Sequence, residues 1–253
     1  MNLNNENWKY LIELYDNISL KTPNVTVTNE PVRSYFSKDY GWPNFTMISD
    51  LGMNRKEQIS MINQLIMEKK LSPFILLHPD LHGDEEIVNL LDAHDIRLMN
   101  QWPLIYYDFD WGIQKEFDTK DFHIEIVRTD SQFESWHDIV SKVLLNNSRL
   151  PIDGFKSKEY CCLLGYENDV PVATTMVYCG TDATIQHHGA VLPEYRQKGY
   201  GKQIHRQAFI VSQEMNYRLA YAQSSRMGLS SWLSLGFRIT GHLNFFWKVG
   251  YMV

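Results

Sequence analysis

Apolar and polar positions in this chain fall into two alternating periods, helical and extended. Residues 8–18 carry apolar side chains at three- and four-residue spacing and predict a helix. Residues 44–49 predict a strand. Residues 57–69 predict a helix with Ile59, Ile62 and Ile66 on one face. The run Pro73-Phe74-Ile75-Leu76-Leu77 reads as a buried strand, 85–93 as a helix, and Leu104-Ile105-Tyr106-Tyr107 as a strand. The pattern then breaks over 108–121, which are polar and charged. Beyond the break, 122–127 alternate like a strand and 136–145 like a helix. Residues 161–166 and 172–178 predict two strands joined by a hairpin turn at Asn168-Asp169. A strand over 184–191 follows, then a helix on which Ile204, Ala208, Val211 and Met215 recur. After it come a strand over 217–223, helix-cap candidates Ser224 and Ser225, and a helix over 226–235 that Gly236 ends. Two last extended stretches are Arg238-Ile239-Thr240 and 243–247. The chain thus divides into an N-terminal α/β unit (1–108), a linker (109–121) and a C-terminal unit (122–253).

The stretch between the strand at 184–191 and the helix after it carries the most chemistry. It reads Arg196-Gln197-Lys198-Gly199-Tyr200-Gly201-Lys202. The first N–H groups of a helix have no internal partner and the helix dipole is positive there, so a glycine-rich entry to a helix suits a phosphate. Glycine lets the backbone approach an anion closely and take angles other residues avoid. Gly201-Lys202 is followed by Gln203, not Ser or Thr, so this is no Walker loop. Two glycines, not three, separate it from the dinucleotide fingerprint. An ordinary strand-to-helix turn with surface charge remains the plain alternative.

Arg/Gln-x-x-Gly-x-Gly after a strand resembles the pyrophosphate-binding signature of the GNAT superfamily of N-acetyltransferases. The order downstream (strand, short helix, Gly236-Phe237, final strands) is also similar, and the resemblance spans roughly 121–250. It implies an α/β (α+β) fold with a mixed, mostly antiparallel sheet flanked by helices. It implies transfer of an acetyl group from acetyl-CoA to a primary amine of a small molecule or peptide, by direct attack without an acyl-enzyme. The N-terminal unit repeats strand, helix, strand, helix, strand over 44–107. It could be a degenerate copy of the same fold, with Leu51-Gly52-Met53-Asn54-Arg55-Lys56 in place of the glycine loop; an unrelated α/β domain is the alternative.

What the resemblance implies about residues is specific. Ala190, Val191 and Leu192 would meet the pantetheine arm through their backbone. The N–H groups of Gln197, Lys198, Gly199, Tyr200, Gly201 and Lys202 would hold the pyrophosphate, with Arg196 beside them. Ser225 stands where the family often has an asparagine that binds pantetheine. His187 falls where arylalkylamine N-acetyltransferases carry a catalytic histidine, and its ordinary pKa suits a base; an inert His pair packed in the sheet is the alternative. Side chains alternate along a regular strand, so His187 and His188 are not expected to face the cleft together. Trp232 occupies the place of the family's acid tyrosine, and an indole N–H is no usable acid. Tyr200, Tyr221 and Ser225 are weaker substitutes. Trp232 is expected against the cofactor's arm or in the core. Cys161 or Cys162 as a nucleophile has no nameable activating partner. The C-terminal aromatics (Phe237, Phe245, Phe246, Trp247, Tyr251) are expected mainly in the core, with a minority free to line an apolar acceptor pocket. The stretch Trp42-Pro43-Asn44 and the acidic linker are further places for an amine.

Composition narrows the class. A formal charge of -6 over 253 residues argues against a general nucleic-acid binder. Apolar content of 44% with seven tryptophans is enough for full-sized cores. No apolar run approaches a membrane span, and no basic-then-apolar leader opens the sequence. Three clustered cysteines, Cys161, Cys162 and Cys179, do not make a disulfide framework, so a reducing cytoplasm is expected. No metal site is expected, and the chain is expected as a monomer or homodimer. Two other classes stay open: a non-catalytic acyl-CoA-binding sensor, and a tandem aminoacyltransferase that uses charged tRNA.

Overall fold

The computed structural model describes residues 2–112 and 121–251. Helix α1 (Leu3–Leu20) begins where the Asn2 side chain accepts hydrogen bonds from the N–H groups of Asn4 and Asn5. Its apolar stripe of Trp8, Leu11, Leu14, Tyr15 and Ile18 is buried. Strands β1 (Thr26–Thr28), β2 (Arg33–Phe36) and β3 (Phe45–Ile48) follow, then helix α2 (Arg55–Met67). Ile59, Ile62 and Ile66 of α2 are buried together, as their spacing requires. Strand β4 (Phe74–Leu77), helix α3 (Glu85–Asp92) and the long strand β5 (Ile96–Asp108) complete the N-terminal part.

The C-terminal part begins with β6 (Phe122–Ile126) and helix α4 (Asp130–Leu144). Thr129 and Gln132 form a reciprocal capping box at the start of α4. A short helix α5 (Ile152–Phe155), strands β7 (Tyr160–Glu167), β8 (Val170–Cys179) and β9 (Ala183–Val191) follow. Helix α6 (Tyr200–Glu214), strand β10 (Leu219–Gln223), helix α7 (Leu229–Ser234) and strand β11 (Arg238–Lys248) end the described chain.

Among the described residues, eleven strands join one sheet in the order β1-β2-β3-β4-β11-β5-β10-β9-β8-β7-β6. Among the described residues only β3–β4 and β9–β10 are parallel pairs. The sheet is mixed and mostly antiparallel, flanked by helices. One face packs under α1, α4 and α5 in a core that runs from Met47 and Leu76 across Leu104 and Tyr221 to Leu164. The opposite face carries three clusters: one around Ile59 and Ile66 of α2 with Leu91 of α3, one with Trp232 and Leu235, and one with Ile204 and Ala208 of α6.

The two parts follow the same path. In each, a parallel strand pair is joined by a helix (β3-α2-β4 and β9-α6-β10), and a shorter helix leads to one last strand. The last strands are exchanged. β5 lies between β10 and β11, and β11 lies between β4 and β5, antiparallel to both. The division at 109–121 read from the sequence therefore separates two stretches whose strands interleave. β5 continues through Asp108, and Phe109–Trp111 form a turn with Phe109 buried. Residues 113–120 of that linker lie outside the described residues.

Several elements differ from the sequence pattern. β5 spans 13 residues where only its last four positions before Asp108 read as a strand, because Arg97, Asn100 and Gln101 are exposed and break the alternation. β1 and β2 are too short to leave a periodic signal. α7 starts at Leu229, three residues late, because the Ser225 hydroxyl accepts the Gly228 N–H and holds 225–228 in a turn. No described helix is long and apolar enough to cross a membrane.

Candidate active site

Strands β9 and β10 pair over Ala183–Gln186 and Leu219–Ala222 and then part. β10 ends at Gln223, while β9 runs on to Val191. On its other edge β9 meets β8 with a register shift: Met176 faces His187 and Thr174 faces Ala190. Two residues of β9, His188 and Gly189, thus stand opposite Thr175 alone, which is a β-bulge. His188 takes a left-handed φ of 55° to make it. The Thr174 hydroxyl donates to the His188 carbonyl at 2.9 Å, which ties the bulge to β8.

The bulge overturns the expectation of alternation. His187 and His188 lie on the same side of the sheet, their rings 4.4 Å apart, and both rings contact Trp42 at 5.4 and 4.6 Å. His188 is buried among Trp42, Trp136 and Phe155. His187 keeps a partial opening to solvent, but its apolar surroundings pull its pKa down to about 4. Burial also holds His188 well below the usual value, with His187 adding a smaller push in the same direction. The His187 Nδ1 accepts the His188 N–H at 3.0 Å. That bond puts the ring proton of neutral His187 on Nε2.

On the other face of the bulge, Gly189 lies against α6. A methyl group at Gly189 would stand 2.3 Å from His205 Cε1. The His205 ring in turn lies 3.7 Å from the Trp232 ring of α7, and Trp232 packs on Phe237 at 4.8 Å. Burial lowers the His205 pKa to about 3. His205 and Trp232 therefore bridge α6 and α7 beside the point where β9 and β10 separate.

The glycine loop lies between β9 and α6. Gln197 and Gly199 take positive φ values of 65° and 86°, and Gly199 is the N-cap of the 15-residue helix. Successive backbone groups of this kind make an anion-binding concavity at a helix N-terminus. The Arg196 Nε donates to the Val191 carbonyl at 3.1 Å and fastens the loop to the end of β9. A methyl at Gly201 would meet Val191 Cγ2 at 3.5 Å, an ordinary contact. Lys198 pairs with Glu167 at 2.7 Å, so part of its charge is already compensated. The Tyr200 ring stacks on Phe122 at 4.2 Å and its hydroxyl donates to Glu167. That carries the Tyr200 side chain toward β6 and β7, leaving its backbone for the loop.

Buried polar atoms without a protein partner concentrate around the strand divergence. They include both side-chain polar atoms of Gln186, both ring nitrogens of His188, His205 Nδ1, the Tyr221 hydroxyl, Gln223 Oε1 and Trp42 Nε1. Buried polar groups are nearly always paired, so such a cluster marks a place where water or a ligand supplies the partners.

No protein-family model matches the chain, and no curated protein matches it by sequence. Solved structures do match its fold. A GCN5-related N-acetyltransferase from Kribbella flavida superposes with a TM-score of 0.65 at 14% identity, over 93% of each chain. The fold is that of the GCN5-related N-acetyltransferases. A second such acetyltransferase, from Sphaerobacter thermophilus, gives a TM-score of 0.61 at 11% identity over 80% of this chain and 72% of that one. A tandem GNAT protein from the clavulanic acid biosynthesis pathway gives 0.57 at 10% identity over 90% and 86%.

Within this GNAT fold, Ala190, Val191 and Leu192 continue β9 past the bulge, Ala190 buried and the next two half-buried. Ser225 is exposed at the end of β10 with its oxygen engaged by Gly228. Trp232 is buried against His205, in the core cluster with Leu235 and Phe237. The Tyr221 hydroxyl is buried, and burial raises its pKa strongly. Cys161 and Cys162 are buried, which pushes the first thiol up to about 11 and the second well above its usual range. Neither is an activated thiolate. Sequence reasoning missed His205, Gln223 and the contact of Trp42 with both histidines. His205 alone left a signal, an ionisable residue at an apolar position of α6.

Proposed function

We propose that the chain is a GNAT-family N-acetyltransferase that moves an acetyl group from acetyl-CoA to a primary amine. One observation carries the reading. The strand divergence with its bulge, the left-handed Gly199 at the start of α6 and the cluster of unpartnered buried polar atoms coincide at one end of the β9–β10 pair.

These residues fit a pantetheine pyrophosphate. The N–H groups of Gln197 to Lys202 at the helix N-terminus, with Arg196 and Lys202 alongside, would hold the pyrophosphate. The backbone of Ala190, Val191 and Leu192 would take the pantetheine, with His205 of α6, Trp232 of α7 and Ser225 of the turn after β10 flanking it. Acetyl-CoA, when bound, would supply the acetyl group: the amine nitrogen gains a bond to the acetyl carbon, the C–S bond breaks, and the proton that nitrogen gives up is matched by the one the leaving thiolate takes from solvent. His187 faces the amine. With its Nδ1 engaged by the His188 N–H, it offers Nε2–H as a donor that would orient the thioester carbonyl and leave the amine lone pair free to attack. To act as a base it must first release that bond. With Trp232 in place of a tyrosine, the thiolate leaves without a dedicated acid, which its low basicity allows.

Calorimetry of acetyl-CoA with the wild type beside Gly199→Glu/Gly201→Glu tests the site. Micromolar binding lost in the double variant supports it; no wild-type binding overturns it. His187→Ala and His187→Gln then separate the roles. Activity kept by glutamine, which donates but cannot take a proton, indicates orientation. Loss in both variants indicates base catalysis.

A second reading, a non-catalytic acyl-CoA sensor, is favoured by the engaged Nδ1 of His187. It predicts acetyl-CoA binding with no turnover of any amine. The repeated β-α-β path supports a tandem arrangement in which the N-terminal part is a degenerate copy without a glycine loop. There the His78 N–H donates to the Ile48 carbonyl at 2.9 Å, so β3 and β4 stay joined where β9 and β10 open. The reading carries with it a cytoplasmic setting, in keeping with three cysteines that form no disulfide.

A further inference from the structure

The two parallel pairs run in opposite directions. β4 and β5 are both antiparallel to β11, and β10 is antiparallel to β5, so the carboxyl ends of β3–β4 and of β9–β10 lie at opposite ends of the strand direction. Ligands of open α/β sheets bind outside the carboxyl ends of parallel strands. Beyond that end of β3 and β4 lies a cavity of about 460 Å³. Helix α1 forms one wall with Asn5, Trp8, Lys9 and Ile12, a single face at three- and four-residue spacing. The other wall is Ser49, just after β3, with His78, Asp80 and Leu81, just after β4. The Trp8 indole N–H donates to the Ser49 hydroxyl oxygen at 2.9 Å, and its ring meets His78 edge-on at 5.2 Å. These contacts fix the two walls against each other.

The cavity combines an apolar side with two opposite charges and a directed donor. Ile12 and Leu81 are half-buried and supply the apolar side. Lys9 is loosely held, by Glu6 at 3.9 Å and over the Tyr10 ring at 5.0 Å. Among the described residues no cation pairs with Asp80, which meets only the Asn2 amide at 3.4 Å through its carboxylate. Lys9 and Asp80 thus share a cavity without neutralising each other. The donor is His78. It is 9% exposed, and burial holds its pKa below the usual value against a smaller opposite pull from Asp80. Its Nδ1 accepts the Asp80 N–H at 3.1 Å, so the proton of the neutral ring is on Nε2. Among the described residues no protein atom accepts that proton, although buried donors are nearly always paired. A ligand of one sign would satisfy one of the two charges and be opposed by the other. A zwitterion satisfies both. Its carboxylate takes Lys9 and the His78 Nε2–H, its ammonium takes Asp80, and an apolar side chain lies on Ile12 and Leu81.

We infer that this cavity is a binding site for a free α-amino acid with an apolar side chain. It shares no residue with the acetyl-transfer site, so the inference stands without that reading. The test is calorimetry on the full chain with L-leucine as the probe. Leucinamide, N-acetylleucine and glycine stand beside it, lacking in turn the carboxylate, the ammonium and the side chain. Leucine is expected to bind, and each of the other three to bind about tenfold more weakly or worse. Asp80→Asn and Lys9→Gln should each weaken leucine by about tenfold or more. Both side chains are exposed, so both variants are expected to keep the wild-type melting temperature. Absence of leucine binding overturns the site. Leucinamide or N-acetylleucine held as tightly as leucine overturns the zwitterion. Leucine binding undiminished in both variants places the amino acid elsewhere and overturns the cavity.

Discussion

Gly189 shows how much of this site rests on single residues. Its missing side chain is filled by the His205 ring, so Gly189→Ala overpacks the contact, at a cost of about 1–3 kcal/mol. The expected outcome is a lowered melting temperature that His205→Ala restores in the double variant, read by calorimetric melting of all three. The buried histidines make a second prediction at this scale. Unfolded imidazoles take up protons below about pH 6.5, whereas folded His187 and His205 resist until pH 4 and 3. Over that window the unfolded state binds more protons, so stability falls as pH drops from 6.5 toward 4. Denaturant midpoints measured at pH 7, 6, 5 and 4 check it, and His205→Leu should flatten the slope. The glycine loop was legible in the sequence because glycine and charge at a strand-to-helix junction have few other uses. Trp42 stood out only by composition; its contact with His187 was not legible, since it comes from 145 residues away in the chain and only tertiary packing brings the two together.

Elements were legible where one period dominated. Helix α6 buries Ile204, Ala208 and Val211 at the expected spacing, and the hairpin turn sits at Asn168-Asp169 with φ values of 49° and 64°. Two consecutive left-handed residues are the signature of a type I′ turn, in which glycine is favoured at the second position. Asp169→Gly should therefore stabilise the β7–β8 hairpin by about 0.5–1 kcal/mol and raise Tm by a few degrees, checked by thermal denaturation. The residue pattern alone does not show the bulge in β9, because His187-His188-Gly189 reads equally well as regular alternation, although the family resemblance puts a distortion of this strand at Gly189. Its cause is the pairing with Thr174 and Thr175 on β8, which a single strand's pattern does not contain. The first half of β5 was hidden for a related reason: its polar side chains sit at a solvent-facing stretch, while its backbone is held by β11.

At the scale of the molecule, the pattern gave two α/β stretches and the sheet gave one object. β5 fills the gap between β10 and β11, so residues 122–253 expressed alone lack a central strand and expose two edges. That fragment is expected to be insoluble or unfolded by circular dichroism and to become soluble when residues 1–121 are co-expressed. A folded, acetyl-CoA-binding fragment would sink the claim. The same interleaving sets an order of events during synthesis. The N-terminal part emerges from the ribosome first, with β4 already made but its antiparallel neighbour β11 still untranslated. Until position 248 has been polymerised, β4 and β5 are a template with a one-strand vacancy between them, and any other extended segment can fill it. Nascent chains of this protein are therefore expected to need holding factors until β11 is made, and stalling before position 248 should be far more damaging than its distance from the glycine loop suggests.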